Sequence, residues 1–302
     1  MSINKNIKIK YALDLARAYL RDQKIRTAFE AEILLAFVLQ KSREYLHINP
    51  YSEISDVQLK QLMNLVNQRR NNVPLEYIIK SASFFGMSFD VDFGVLIPRP
   101  ETELLVIKAL RLIEEYKIKS VLEIGVGSGI ISICLALAFA DLDITALDIS
   151  PTAIKITEQN IKKFQNNLPD LGIFNSILRE CDIYNCESFM PKISLHETDF
   201  RAFKPDSKFD LIISNPPYIS RCARLEPHVL KEPEIALFGG LNGTEILEDI
   251  VHFAKKHSNF LICEIGFDQK AIMAEVLKKS GFIANFYIDF SYYDRGFIAK
   301  AL

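Results

Sequence analysis

An amide side chain followed at once by two prolines and then an aromatic ring, as in Ser214-Asn215-Pro216-Pro217-Tyr218, can hold a planar –NH2 group. The Asn215 side-chain oxygen and the Pro216 carbonyl can each accept one N–H. That pins the nitrogen and favours loss of a proton as a new bond forms on it. Tyr218 offers a flat face against a planar amide or base. The stretch ends an apolar run, Phe209-Asp210-Leu211-Ile212-Ile213, which reads as a buried strand. Two consecutive prolines cannot continue a sheet ladder, so the strand stops at Asn215 and presents it at the carboxyl edge of a sheet. A strand closed by a Pro-Pro turn that only packs would read the same way, so the choice depends on what stands upstream.

Upstream is Ser120-Val121-Leu122-Glu123-Ile124, a second strand pattern, running into Gly125-Val126-Gly127-Ser128-Gly129 and an apolar helix over 130–140. Glycines there permit a tight turn and a close backbone approach to a ligand at a helix N-terminus. A dinucleotide fingerprint requires its third glycine at position 130, which is Ile130. Alternating glycines with Glu123 just before them suit a nucleoside that carries a cationic amino acid. The next strand, Ile144 to Leu147, ends in Asp148, where a carboxylate can take both ribose hydroxyls. Asp148 equally neighbours the start of a helix capped at Ser150-Pro151. Thr198-Asp199-Phe200 precedes the strand that leads to Asn215. Asp199 can accept an adenine amino group and Phe200 can stack on its ring, or both are ordinary loop residues.

These groups need elements to position them. Residues 1–72 read as helices: Thr27-Ala28-Phe29-Glu30 and Ser55-Asp56-Val57-Gln58 have capping-box spacing, and Leu59, Leu62, Met63 and Val66 form one stripe. Residues 73–98 switch to period two and read as a β-hairpin linker, with Gly86 and Gly94 at turns. Pro100 opens a helix with Glu101 and Glu103 in its first turn, just after Arg99. Past residue 148 the pattern predicts a helix from Pro151 to Phe164, a strand over Ser176 to Cys181 and an insertion loop over 182–195. An irregular wall over the sheet edge, with His228 in it, follows Tyr218. The strand Phe260 to Ile265, a helix closed by Gly281 and two strands turning at Asp294-Arg295-Gly296 complete the chain. Alternating β/α units predict an α/β, Rossmann-like doubly wound sheet over 99–302 with an extra hairpin at its end.

The composition narrows the function. At 302 residues, 49% hydrophobic and 25% charged, the chain is globular, and its net charge of −2 disfavours an enzyme that lives on bulk DNA. Five cysteines at irregular spacing, Cys181 and Cys186 among them, read as free thiols in a reducing compartment and not as a metal site. The first residues, Met1 to Lys5, lack a signal-peptide core, and no uncharged run reaches about 18 residues, so neither export nor a membrane span is expected.

Taken together, the motifs resemble the PrmC/HemK family, S-adenosylmethionine-dependent methyltransferases that modify the glutamine of the Gly-Gly-Gln loop in peptide chain release factors. Glu30-Ala31-Glu32-Ile33-Leu34-Leu35 is similar to the family's helical domain, and Pro74-Leu75-Glu76-Tyr77-Ile78 with Phe85-Gly86 to its hairpin. Ile97-Pro98-Arg99-Pro100-Glu101-Thr102-Glu103 is the narrower signature, because Asn-Pro-Pro-Tyr is shared with adenine-N6 DNA methylases and several RNA methylases. The resemblance implies a class I methyltransferase domain, S-adenosyl-L-methionine as cofactor with S-adenosyl-L-homocysteine as product, and Asn215, Pro216, Pro217 and Tyr218 gripping the substrate amide. It implies cofactor contacts at Gly125, Val126, Gly127, Ser128, Gly129, Asp148, Phe200 and Asn215. Phe200 stands where many relatives have tryptophan, and Val126 where threonine is usual. The implied protein is a cytoplasmic monomer whose partners are release factors, with no metal, no stable nucleic-acid binding and no membrane. An adenine-N6 amino methyltransferase and a non-catalytic binding module on the same fold are the alternatives.

Overall fold

The computed structural model describes residues 7–21, 26–183, 189 and 191–302. The first residues of the chain, the Cys186 thiol and the middle of the 182–195 stretch lie outside the described residues. Two compact units emerge: Met1–Lys80 with Glu226–Lys231, and Ser81–Leu225 with Glu232–Leu302.

In the first unit, β1 (Ile7–Lys8) leads into α1 (Ile9–Leu20), α2 (Thr27–Leu39) and α3 (Arg43–Ile48). Then β2 (Glu53–Ile54) pairs back with β1, and α4 (Asp56–Arg70) and α5 (Leu75–Ile79) follow. Ala12, Ala16 and Leu20 stack on one face of α1 against Leu34, Leu35, Leu62 and Val66, a core of its own. Ser55 caps α4 with the full reciprocal box. The box expected at Thr27 does not form: Arg26 takes the cap position, and Glu30 turns instead to Arg69, whose Nε donates at 2.5 Å. Arg69 is almost fully buried, and a buried guanidinium demands a carboxylate more strongly than an exposed helix end demands a cap.

The second unit opens with a hairpin, β3 (Ser81–Phe84) and β4 (Met87–Asp90). Its two-residue turn, Phe85-Gly86, has both φ angles positive. The period-two pattern expected over 73–98 is therefore a hairpin only over 81–90, with α5 before it. Then come α6 (Pro100–Tyr116), β5 (Ser120–Ile124), α7 (Ile130–Ala138), β6 (Asp143–Asp148), α8 (Pro151–Asn166), α9 (Gly172–Glu180), β7 (Lys192–Glu197) and β8 (Phe209–Ser214). The rest is β9 (Ile219–Ser220), α10 (Glu234–Leu237), β10 (Phe238–Gly240), α11 (Glu245–His257), β11 (Ser258–Glu264), α12 (Lys270–Lys279), β12 (Phe282–Ile288) and β13 (Asp294–Ala301).

The seven-stranded sheet runs β12-β13-β11-β8-β5-β6-β7. Strands β11, β8, β5, β6 and β7 are parallel, and β13 is antiparallel to both of its neighbours. Along β8 the side chains alternate: Leu211 and Ile213 join the layer of α6 and α7, and Ile212 the layer of α11 and α12. A strand covered on both faces must be apolar throughout, which is why β5 and β8 read so clearly. The chain moves outward through β6 and β7, then returns to place β8 on the other side of β5. That reversal is a topological switch point, where ligands bind beyond the carboxyl ends of the strands.

Three expectations fail locally. Ser176 to Cys181 is not a strand, because Phe174 and Leu178 are buried one helical turn apart in α9. The 182–195 stretch is not all loop, because its end is the edge strand β7, half-buried on one face only. Asp294-Arg295-Gly296 opens β13, and the turn is Asp289–Tyr293, where Asp289 Oδ1 accepts from the Ser291 and Tyr293 N–H groups. Gly296 is there because Tyr287 crosses it: a Cβ would stand 2.2 Å from the Tyr287 hydroxyl oxygen.

Candidate active site

At the switch point a cavity of about 560 Å³ opens beyond the ends of β5, β6 and β8. The register sets Ile124 level with Leu147 and Ser214, and Ser214 level with Cys263. The residues that follow these strands are therefore delivered to one edge. Of the expected residues, Gly125, Val126, Gly127, Ser128, Asp148, Asp199, Phe200, Asn215, Pro216 and Pro217 line the cavity, and Arg99 joins them. Gly129 and Tyr218 are not in its wall.

The glycine loop shows why. Gly125 and Gly127 have φ of +79° and +56°, and no heavy atom lies within 4 Å of where a Cβ would stand, so this backbone faces open space. Gly129 instead faces α8, where a Cβ would be 2.8 Å from Thr157 Cγ2. Helix α8 braces the loop: Thr157 Oγ1 donates to the Gly127 carbonyl at 3.0 Å, and buried Asn160 donates to the Ser128 carbonyl at 2.8 Å. Asn160 also exchanges two hydrogen bonds with the backbone of Asp90, at 2.7 and 2.9 Å, tying β4 to the same loop.

Two acids flank the loop. Each oxygen of Asp148 accepts a backbone N–H, Oδ2 from Gly127 at 3.0 Å and Oδ1 from Ser150 at 2.9 Å. Asp148 also lines the cavity, where its carboxylate can take a vicinal diol. Burial nevertheless raises the Asp148 carboxyl above its ordinary pKa. Glu123 is buried in the cavity wall. Its Oε2 accepts from the Ser132 backbone and hydroxyl, while its Oε1 has no partner among the described residues. Burial pushes its pKa up to about 8, with the Ser132 bonds opposing and the Asp148 charge adding to the rise. An unpartnered buried carboxylate oxygen is costly unless a donor or cation arrives. Glycine backbone, diol-ready carboxylate and orphan carboxylate together fit a nucleoside with a cationic amino acid. Phe200 packs edge-on against Phe253, with its ring on the cavity and the Arg201 guanidinium over it.

Opposite stands the Asn215-Pro216-Pro217-Tyr218 turn. Asn215 Nδ2 donates to Thr102 Oγ1 at 2.9 Å. Thr102 donates to Glu264 Oε2 at 2.9 Å, and the Tyr218 hydroxyl donates to Glu264 Oε1 at 3.0 Å. Tyr218 thus sends its hydroxyl inward, and its side chain packs against the core layer that includes α11 and α12. Burial pushes Glu264 up to about 7 and holds the Tyr218 phenol above its ordinary range. The backbone of this turn is held from behind. Gln269 donates to the Tyr218 carbonyl at 2.8 Å, and β9 pairs with β10. Gly239 lies so close that a Cβ would be 2.4 Å from the Pro217 carbonyl oxygen. The stretch after Tyr218 supplies Arg221, Glu234, Ile235, Ala236 and Phe238 to the cavity wall. Buried Glu232 ties that wall to the start of α6 by accepting from Arg99 at 2.5 Å and from the Ile97 N–H at 3.0 Å. His228 is exposed and outside the cavity wall.

Two family models match, the PrmC N-terminal domain over residues 11–79 and ribosomal protein L11 methyltransferase (PrmA) over residues 100–215. Among curated proteins, the release factor glutamine methyltransferase of Clostridium acetobutylicum is 34% identical over 286 residues, covering 92% of this chain and 93% of its own length. That of Buchnera aphidicola is 33% identical, over 96% of this chain and 98% of the relative. That of Aquifex aeolicus is 32% identical, over 90% of each. The chain belongs to the release factor glutamine methyltransferase family. Among solved structures, the catalytic domain of hMettl16 in complex with a MAT2A 3′UTR hairpin superposes with a TM-score of 0.51 at 15% identity. It covers 88% of this chain and 90% of that one, and it bears on the fold alone. The fold is α/β, a Rossmann-like class I methyltransferase sheet, with the PrmC-type helical unit before it.

Several site residues of this methyltransferase escaped sequence reading. Thr102 and Glu264 lie 113 and 49 positions from Asn215, counted along the chain; Thr102 stands inside the Ile97–Glu103 signature, but nothing in that signature assigns it to Asn215. Asn160 falls on the buried stripe of α8 with Ala153, Ile156, Thr157 and Phe164, and nothing in the local pattern names its backbone partners. A usable signal existed for Glu264: an acid at the end of the apolar strand Phe260-Leu261-Ile262-Cys263, the same position that Asp148 holds on β6.

Proposed function

We propose that this chain transfers a methyl group from S-adenosyl-L-methionine to the side-chain amide nitrogen of the glutamine in the Gly-Gly-Gln loop of peptide chain release factors. The observation that carries the reading is one cavity lined both by the glycine loop with Asp148 and by Asn215-Pro216-Pro217. Glu123 Oε1 would meet the amino-acid ammonium group, Asp148 would take the ribose hydroxyls, Phe200 would stand beside the adenine, and the backbone of Gly125 to Ser128 would let the cofactor approach closely. When bound, that cofactor supplies a methyl group on sulfonium, open to in-line attack, and leaves as S-adenosyl-L-homocysteine.

Asn215 Oδ1 and the Pro216 carbonyl accept the two N–H groups of the substrate amide and turn its nitrogen toward that methyl group. Pro217 keeps the turn rigid, and Tyr218 anchors its far end. Orientation of this kind is worth up to about 7–11 kcal/mol. No strong base is needed, because the proton leaves after charge develops on nitrogen.

The helical unit, residues 1–72 in the sequence reading, serves release-factor recognition, with the hairpin stretch 73–98 as linker and 99–302 as the catalytic part. The protein works as a cytoplasmic monomer, and its substrate belongs to translation. Among the described residues, no helix is long and apolar enough to cross a membrane.

The test is transfer of labelled methyl to purified release factor, with a Gln→Ala change in its Gly-Gly-Gln loop as control and duplex DNA beside it. Label on the wild-type factor alone supports the assignment. Label on DNA alone moves the chain to adenine-N6 methylation, and no label with cofactor still bound leaves a binding module.

A further inference from the structure

The Thr102 hydroxyl has one proton and two neighbours, Glu264 Oε2 and Asn215 Nδ2, each at 2.9 Å. An ionised carboxylate only accepts, so the Thr102 proton belongs to Glu264. Thr102 can then only accept from Asn215, and the only donor on that side chain is its –NH2 group. The Asn215 amide oxygen is left for the cavity. The other Glu264 oxygen is occupied by the Tyr218 hydroxyl, so one buried carboxylate holds residues 215 and 218, the two ends of the Pro-Pro turn. Thr102 and Glu264 are both fully buried, so water does not compete for these bonds.

We propose that Glu264, acting through Thr102, is a positioning residue that sets which end of the Asn215 amide faces the substrate. This rests on the reading of Asn215 as the acceptor for the glutamine –NH2 group. An amide with reversed polarity would set –NH2 against –NH2, donor against donor, and the nitrogen would not be held.

Protonation of Glu264 allows that reversal. Its proton can pass to the Thr102 side, Thr102 then donates to the Asn215 oxygen, and the Asn215 –NH2 turns to the cavity. Glu264 is faced by Thr102 and Glu101 from α6, Tyr218 from the turn, Tyr287 from β12 and Arg295 from β13. Burial prevails over the Arg295 charge and brings its titration to about 7, so turnover falls on the acid side of that value.

The experiment compares Thr102→Val, Thr102→Ser, Glu264→Gln and Asn215→Ala, measuring S-adenosyl-L-homocysteine affinity, KM for release factor, and kcat from pH 6 to 9. Thr102→Val is expected to lose about 10²-fold in kcat with homocysteine-nucleoside affinity within about twofold, the cost of a misplaced reacting group. Thr102→Ser, which keeps the hydroxyl, returns kcat to within about threefold. Glu264→Gln removes the acid limb of the kcat profile. Wild-type kcat in Thr102→Val, with Asn215→Ala inactive, overturns the relay but leaves the Asn215 assignment. Equal loss in the Val and Ser variants also overturns it, since packing and not the hydroxyl would then matter. Wild-type kcat in Asn215→Ala removes the reading beneath it.

Discussion

Glu123 and Glu264 are both buried carboxyls raised by desolvation, to about 8 and about 7, but only Glu264 has both oxygens in hydrogen bonds. Glu123 waits for a cation, and that gives its titration a direction. Between the ordinary value of 4.5 and about 8 the folded chain holds a proton that the unfolded chain has released. Stability therefore falls as pH rises through that window. A ligand ammonium group is attracted only by the ionised acid, so affinity for S-adenosyl-L-homocysteine should rise from pH 6 to 8. Calorimetry should show that rise in the wild type and a flat profile in Glu123→Gln; a rise that survives the substitution assigns it to another group. Asn215→Ala should cut turnover on release factor by at least about 10²-fold while cofactor affinity stays within a few-fold. Full turnover would remove Asn215 from the mechanism.

At the scale of elements, the loop and the turn are shaped by what packs behind them. Asn160 satisfies three backbone groups, on Asp90 and Ser128, from inside the protein. Asn160→Ala strands them, and urea unfolding should show a loss of about 2–4 kcal/mol. Gly239→Ala places a methyl 2.4 Å from the Pro217 carbonyl oxygen, so the proline turn must move. The expected result is a drop in kcat with cofactor affinity retained; unchanged kcat would mean that β10 yields instead. The elements themselves were unevenly legible. Strands β5 and β8 are covered on both faces and must be continuous apolar runs. Edge strand β7 buries only part of Ile193 and Leu195, so its pattern is that of a loop. The short apolar stretch in α9 fits either period until its neighbours choose one.

At the scale of the whole molecule, the two units have separate cores and separate polar interiors. In the helical unit the Glu30–Arg69 pair is nearly out of water, at 12% and 8% side-chain exposure. Removing one partner leaves the other charged and buried. Arg69→Met should therefore destabilise that unit by about 3–5 kcal/mol. If the helical unit serves release-factor recognition, the same change raises KM for the protein substrate and leaves cofactor affinity untouched. Circular dichroism melts and calorimetry would separate the two effects, and weakened cofactor binding would count against independent roles.

The amino-acid sequence by itself determined the doubly wound sheet, the glycine loop, Asp148 after its strand, and the Asn-Pro-Pro-Tyr turn. Each of these follows from local constraints: apolar runs that must be covered, φ angles that only glycine adopts freely, prolines that cannot pair. Only the tertiary structure decided that Thr102 and Glu264 orient Asn215, that Tyr218 anchors instead of lining the cavity, that Gly129 packs on α8, and that Asn160 clamps the loop. Those are choices of partner between residues far apart along the chain. Local sequence does not name those partners, because what a buried hydroxyl or carboxylate bonds to is defined only by the neighbours that folding brings to it.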